Sequence, residues 1–160
     1  MKQLFRSLGE VIAFRQTENG VLLSTDEADV RITIYSESVI RVYIEKTENE
    51  ATELPYAVVE GPQKTEFEVK EIEDVFFIRT SKIKVLISRK PLRISFSDLN
   101  EKFLNEDDCA LGTGWMGDTV ASYRALKEGE KFIGLGEKTG PLNRAGNAYT
   151  HWNTDHFAYP

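Results

Sequence analysis

The chain has 160 residues, of which 20 are Lys or Arg and 26 are Asp or Glu, for a formal net charge of −6 at pH 7. That length suits one domain with a substantial core. The acidic surplus is scattered, as at Glu45, Glu48, Glu50 and Glu53. It gives no reason to expect nucleic-acid binding, and no apolar run is long enough to cross a bilayer.

Apolar residues recur mostly with period two, the signature of strands. Near the start, Val11-Ile12-Ala13-Phe14 and Val21-Leu22-Leu23 flank Asn19-Gly20, a strong turn dipeptide. Val30, Ile32 and Ile34 alternate with Arg31, Thr33 and Tyr35. After the break Ser36-Glu37-Ser38 comes the run Val39 to Ile44, and the spacing predicts a hairpin between the two. Glu45 to Gln63 is poor in β-branched residues, carries Pro55 and Pro62, and reads as a connection. Phe67 and Val69 begin the next alternation. Val75-Phe76-Phe77-Ile78 is a continuous apolar run, which predicts a strand buried on both faces.

Ile83, Val85 and Ile87 alternate again, followed by Leu92, Ile94 and Phe96. Asp98 to Glu101 reads as a turn into Lys102-Phe103-Leu104, and Asn105-Glu106-Asp107-Asp108 as a charged turn. Gly112, Gly114 and Gly117 read as turn residues. Between about six and ten short strands, with turns about every 8–12 residues, predict an all-β fold: a two-sheet antiparallel sandwich. No segment shows clean helical spacing.

Cys109 is the lone cysteine, so an intramolecular disulfide is impossible and a structural metal site is not expected. A buried apolar thiol is the favoured reading over a reactive one. Met1 to Arg6 opens no apolar run of the roughly 7–15 residues a signal peptide needs, so a cytoplasmic protein is expected.

The densest information lies at the end. Phe132-Ile133, a β-like start, leads into Gly134-Leu135-Gly136-Glu137-Lys138-Thr139-Gly140. Asn143-Arg144 follows, then Tyr149-Thr150-His151-Trp152-Asn153-Thr154-Asp155 and His156-Phe157-Ala158-Tyr159. Gly134-Leu135-Gly136 lacks the third glycine and following helix of a dinucleotide fingerprint, so a turn or close backbone approach is the better account. His151, Asp155 and His156 make a poor metal cluster, because three ligands must converge. Trp152 reads as core in preference to a sugar-stacking platform.

This segment closely resembles one in the N-terminal β-sandwich of family 31 glycoside hydrolases, the α-glucosidase and α-xylosidase family. The resemblance is tight from Phe132 to Tyr159 and loose upstream. It implies a galactose-mutarotase-like supersandwich over residues 1–160, with the sandwich truncated at its C-terminal end and a bare sheet edge open to self-association. Ala148 to Pro160 is then expected to be irregular, displaced or paired with another copy.

Retaining glycosidases need a nucleophile and a general acid/base roughly 5 Å apart. In the family both belong to a (β/α)8 barrel that follows the sandwich, and its βα pattern is absent here. Trp115-Met116-Gly117-Asp118 has some letters of the nucleophile motif in the wrong order and carries no catalytic weight. No catalytic residue, cofactor or metal is assigned, and the chain alone is expected to be inactive. The resemblance further implies that Asn153-Thr154-Asp155 forms a loop over the barrel mouth. Asp155 then contacts the sugar, while His156 and Phe157 either line the pocket or anchor the loop. The expected partners are the barrel of the same polypeptide and an α-linked oligosaccharide or glycoside. Sugar and linkage specificity rest largely with the barrel. A free-standing carbohydrate-binding module, or a structural interaction module, is the alternative.

Overall fold

A computed structural model describes residues 4–46, 57–136 and 138–151. The chain divides into two compact units, 1–125 and 126–160. Among its described residues the first holds twelve strands: β1 (Arg6–Ser7), β2 (Ala13–Thr17), β3 (Gly20–Ser24), β4 (Ala28–Ser36), β5 (Val39–Lys46), β6 (Glu68–Ile72), β7 (Val75–Arg79), β8 (Ile83–Arg89), β9 (Leu92–Asp98), β10 (Phe103–Glu106), β11 (Thr113–Met116) and β12 (Thr119–Ser122). Among the described residues no helix is long and apolar enough to cross a membrane.

Two antiparallel meanders form the sandwich, a four-stranded sheet in the order β2-β3-β4-β5 and a five-stranded sheet in the order β10-β9-β8-β7-β6. Their strands follow from alternation. On β4, Ala28, Val30, Ile32 and Ile34 are buried, while Arg31 between them is exposed. Across the ladder Val30 faces Leu23 and Ile44, and Ile32 faces Val21 and Val42, so one register brings one apolar face inward. The opposing sheet contributes Phe76, Ile78, Val85, Ile87, Leu92 and Ile94 to the same buried cluster. Phe14 and Phe76 stack between the sheets, with ring centroids 4.5 Å apart and planes 8° from parallel.

Buried threonines close two of the turns. Thr25 Oγ1 accepts from the Ala28 amide at 3.0 Å, and Thr80 Oγ1 accepts from the Ile83 amide at 2.9 Å. Each hydroxyl also donates to a carbonyl, Thr25 to Ala28 at 3.0 Å and Thr80 to Glu37 at 2.6 Å. Their burial therefore leaves no polar atom stranded.

A third, smaller sheet joins β1, β11 and β12. The Leu8–Ile12 segment connects it to the sandwich. Leu8 N–H donates to Thr113 at 3.2 Å, Val11 N–H to Arg89 at 3.0 Å, and Ile12 N–H to Ser24 at 2.9 Å. Leu8, Val11 and Trp115 thereby enter the core.

Several expectations are corrected. Val75 to Ile78 is buried on one face only: Phe76 and Ile78 point inward, while Val75 and Phe77 are half-buried on the other side. Asn105 to Asp108 is not a charged turn. Asn105 and Glu106 extend β10, and Asp107 is buried and bridges to Arg124. Cys109 is exposed, because it sits in a loop whose carbonyls at Asp108, Cys109 and Ala110 accept from the Arg93 guanidinium at 3.0, 3.3 and 2.9 Å.

Gly114 is not a turn residue but lies within β11, paired with Ser7. A Cβ there would stand 2.1 Å from the Arg6 carbonyl oxygen, so glycine permits close backbone approach. Gly114→Ala is expected to cost about 3 kcal/mol, the upper part of the overpacking range, because the atoms in the way are β1 backbone, anchored next door by the buried Leu8. Urea denaturation of the chain checks this, and an unchanged midpoint would refute the close-approach argument.

Candidate functional site

The sequence places the site in the second unit. Its described part, 126–136 and 138–151, contains neither helix nor strand. Phe132-Ile133 is thus not a strand, and both side chains are exposed. Of Ala148 to Pro160, expected to be irregular, displaced or paired with another copy, Ala148 to His151 has no regular secondary structure and the remainder lies outside the described residues. Asp155, His156 and Phe157 lie outside the described residues, as does Trp152. His151, which leads into them, is exposed.

What replaces secondary structure is a set of side-chain clasps. Asn143 Oδ1 accepts from the Phe132 amide at 3.0 Å and from the Ala145 amide at 3.2 Å. The Arg144 amide donates back to the Phe132 carbonyl at 2.8 Å. Residues 132 and 143–145 are thereby closed into a loop neck. The Arg144 guanidinium then donates through Nη1 to the Thr139 carbonyl at 2.9 Å and through Nη2 to the Lys138 carbonyl at 2.7 Å. Its carbon lies 5.4 Å from the centroid of the Tyr149 ring, a cation–π distance. Lys138 Nζ donates to the Thr150 carbonyl at 3.0 Å.

The glycines of the motif serve this path. Gly134, Gly136, Gly140 and Gly146 all have positive φ, and at Gly140 a Cβ would also stand 3.2 Å from Arg144 Nη1. Leu135 adopts φ of 68° between two of them, which is uncommon for a residue with a side chain. Of the two readings of Gly134-Leu135-Gly136, a turn agrees with this backbone, whereas close backbone approach does not, because a Cβ at Gly134 or Gly136 would meet nothing within 4 Å. Arg144 and Asn143 were visible in the sequence as part of the motif, but their roles were not.

The first unit offers an open groove of about 780 Å³, lined by Gln16, Glu18, Glu66, Glu68, Arg79 and Ser81 among others. Its aromatic lining residue, Phe67, packs against the core. An aromatic platform for a sugar needs an exposed ring face, and the one aromatic lining this groove is partly buried against the core.

A sandwich of four- and five-stranded antiparallel meanders with a small third sheet, followed in the chain by a glycine-rich, arginine-clasped loop, defines the class of protein. The chain belongs to the glycosyl hydrolase 31 N-terminal galactose mutarotase-like domain family, whose model matches residues 29–160. It is 28% identical over 152 residues to alpha-glucosidase 2 of Bacillus thermoamyloliquefaciens, covering 94% of this chain and 19% of that protein. It is similar to a family 31 dextranase of Flavobacterium johnsoniae solved with isomaltotriose, with a TM-score of 0.87 and 26% identity over 97% of this chain and 20% of that one. A cycloalternan-forming enzyme of Listeria monocytogenes, 13% identical with a TM-score of 0.73, covers 93% of this chain and 15% of its own, and shares the fold. The chain thus spans about a fifth of the length of the first two relatives.

Proposed function

We propose that this chain is the N-terminal domain of an α-glucosidase-like retaining glycoside hydrolase, and that it supplies one loop of the substrate pocket. The catalytic carboxylates belong to a barrel in the same polypeptide, on which the sandwich packs. The substrate is a glycoside or oligosaccharide with a terminal α-linked sugar. Asp155 accepts hydrogen bonds from sugar hydroxyls, and His156 and Phe157 flank it. The observation that carries this reading is the reach of the family match. It continues through residue 160 and so includes Asn153-Thr154-Asp155. The relatives named above for α-glucosidase and dextranase activity support the substrate class.

A carboxylate can accept two short, charge-assisted bonds from neighbouring hydroxyls, which holds the sugar against the catalytic groups. In the intact enzyme Asp155→Ala is therefore expected to lower kcat/KM by ~10–100-fold, from the loss of about 1.5–3 kcal/mol of charged hydrogen bonding. Steady-state kinetics on an aryl α-glucoside measure it. Wild-type kinetics in the variant would mean that the loop does not reach the sugar.

A further inference from the structure

We propose that Arg144 is a positioning residue for the substrate-facing end of this domain, holding in place the chain that runs into Asp155. The proposal rests on the functional reading above. A stretch without helix or strand has no ladder to satisfy its backbone or fix its course, and its conformational entropy must be offset otherwise. Here the fixing is shared among Asn143, Lys138 and Arg144, and the planar cation of Arg144 alone contacts three residues, Lys138, Thr139 and Tyr149. Its two terminal nitrogens each hold a successive carbonyl, Lys138 and Thr139, on the incoming arm. Its face meets Tyr149 on the outgoing arm. Its own amide is tied to Phe132 at the neck. Arg144 thus joins three points of the loop, and Tyr149 is six residues from Asp155. Gly140 leaves room for the guanidinium at its closest approach.

Lysine cannot do this. A guanidinium is a rigid fork that also stacks, whereas an ammonium is a strongly hydrated point charge on a flexible stem. Arg144→Lys therefore keeps the charge and removes the geometry. Arg144 lies outside the buried cluster of the sandwich, so its loss should leave the core intact. The effect is expected in the placement of the loop, where a displacement of about 1 Å can cost ~100-fold in rate.

The experiment compares Arg144→Ala, Arg144→Lys, Asp155→Ala and the Arg144→Lys/Asp155→Ala double variant in the intact enzyme. Arg144→Ala is expected to lower kcat/KM by ~10–100-fold. Arg144→Lys should recover little of that loss, and thermal unfolding of both should stay near wild type. If Arg144 acts through Asp155, the double variant should be no worse than Asp155→Ala alone. Hydrogen exchange supplies a readout apart from activity: Arg144→Lys should speed exchange at the amides of residues 144 and 147. Full activity in Arg144→Lys beside a damaged Asp155→Ala would overturn the proposal, as would multiplicative losses in the double variant. If Asp155→Ala is itself neutral, the functional reading fails. Hydrogen exchange then decides on Arg144 alone, faster exchange supporting its clasp and unchanged exchange refuting it.

Discussion

Phe76→Ala is expected to destabilise the chain by about 3–5 kcal/mol, enough to remove much of the stability of a domain this size. Phe76 is fully buried on β7 and is among the largest wholly buried side chains. It faces Ile87 on β8 across the ladder and stacks on Phe14 from the opposite sheet. The Arg89 guanidinium lies 4.8 Å from its ring centroid, and Arg89 also donates to the Val11 carbonyl at 3.2 Å and pairs with Glu71. Truncation therefore empties the space between the sheets. It also removes the surface on which an arginine organises the Leu8–Ile12 crossing. Relaxation by collapse is restricted, because the neighbours are strands held in register on both sides. Equilibrium urea unfolding should show a lower midpoint. Phe76→Leu, which fills more of the volume, should lose distinctly less. Equal losses for the two would show that volume is not what Phe76 supplies.

The sandwich was legible because its strands obey one rule. From Val30 to Ile44, and from Phe67 to Phe96, alternation marks the inward face, and turn residues mark the ends. The rule failed where side chains did not declare a period. Among the described residues β12 (Thr119–Ser122) pairs with β11 alone, and its residues are largely exposed, so no apolar alternation marks it. β1 has two residues, too few for any pattern. Val75 to Ile78 misled in the opposite direction. Its outer face carries Val75 and Phe77, which are half-buried beside Lys70, Leu86 and Ser88, with no further sheet layered over them among the described residues. A continuous apolar run shows high hydrophobicity and does not reveal how many layers cover it.

The candidate site was legible as a motif and not as a geometry. Gly134, Gly136 and Gly140 signalled unusual backbone, and each has positive φ. Nothing in the letters Asn143-Arg144 says that one side chain closes the neck and the other grips two carbonyls. Such contacts join residues about 5 to 12 positions apart through irregular chain, where no periodicity exists to be read. Cys109 illustrates the same limit. Composition favours burial for a lone thiol, yet Cys109 is exposed in a loop whose three successive carbonyls accept from Arg93, sixteen residues earlier.

Asp107→Ala is expected to cost about 3 kcal/mol, between the roughly 1–3 of an orphaned buried donor and the 3–5 of a broken buried ion pair. The Asp107 side chain is only 3% exposed, and its Oδ2 accepts from the Ile94 amide at 2.8 Å. Without it that buried donor has nowhere to turn. Arg124 Nη1 stands 2.6 Å from Oδ1 as an ion pair, though not in hydrogen-bond alignment, and at 39% exposure it can rehydrate. The larger share of the cost therefore falls on Ile94. Burial pushes the Asp107 carboxyl above the ordinary aspartate value of 3.8, and the Ile94 amide, Arg124 and Arg93 partly offset that rise. The sign of the pH effect follows. A group with a raised folded pKa contributes stability that is complete below its unfolded value and is lost as pH rises through the folded value. Stability of the wild type relative to Asp107→Asn should thus increase as pH falls from about 7 toward about 4, because protonation relieves the desolvated charge. The comparison subtracts every other carboxylate that the two chains share. Urea unfolding of both proteins across that range measures the difference. A relative stability that fell with pH would mean that Arg124 and the Ile94 amide outweigh burial, making Asp107 a net-favourable anion.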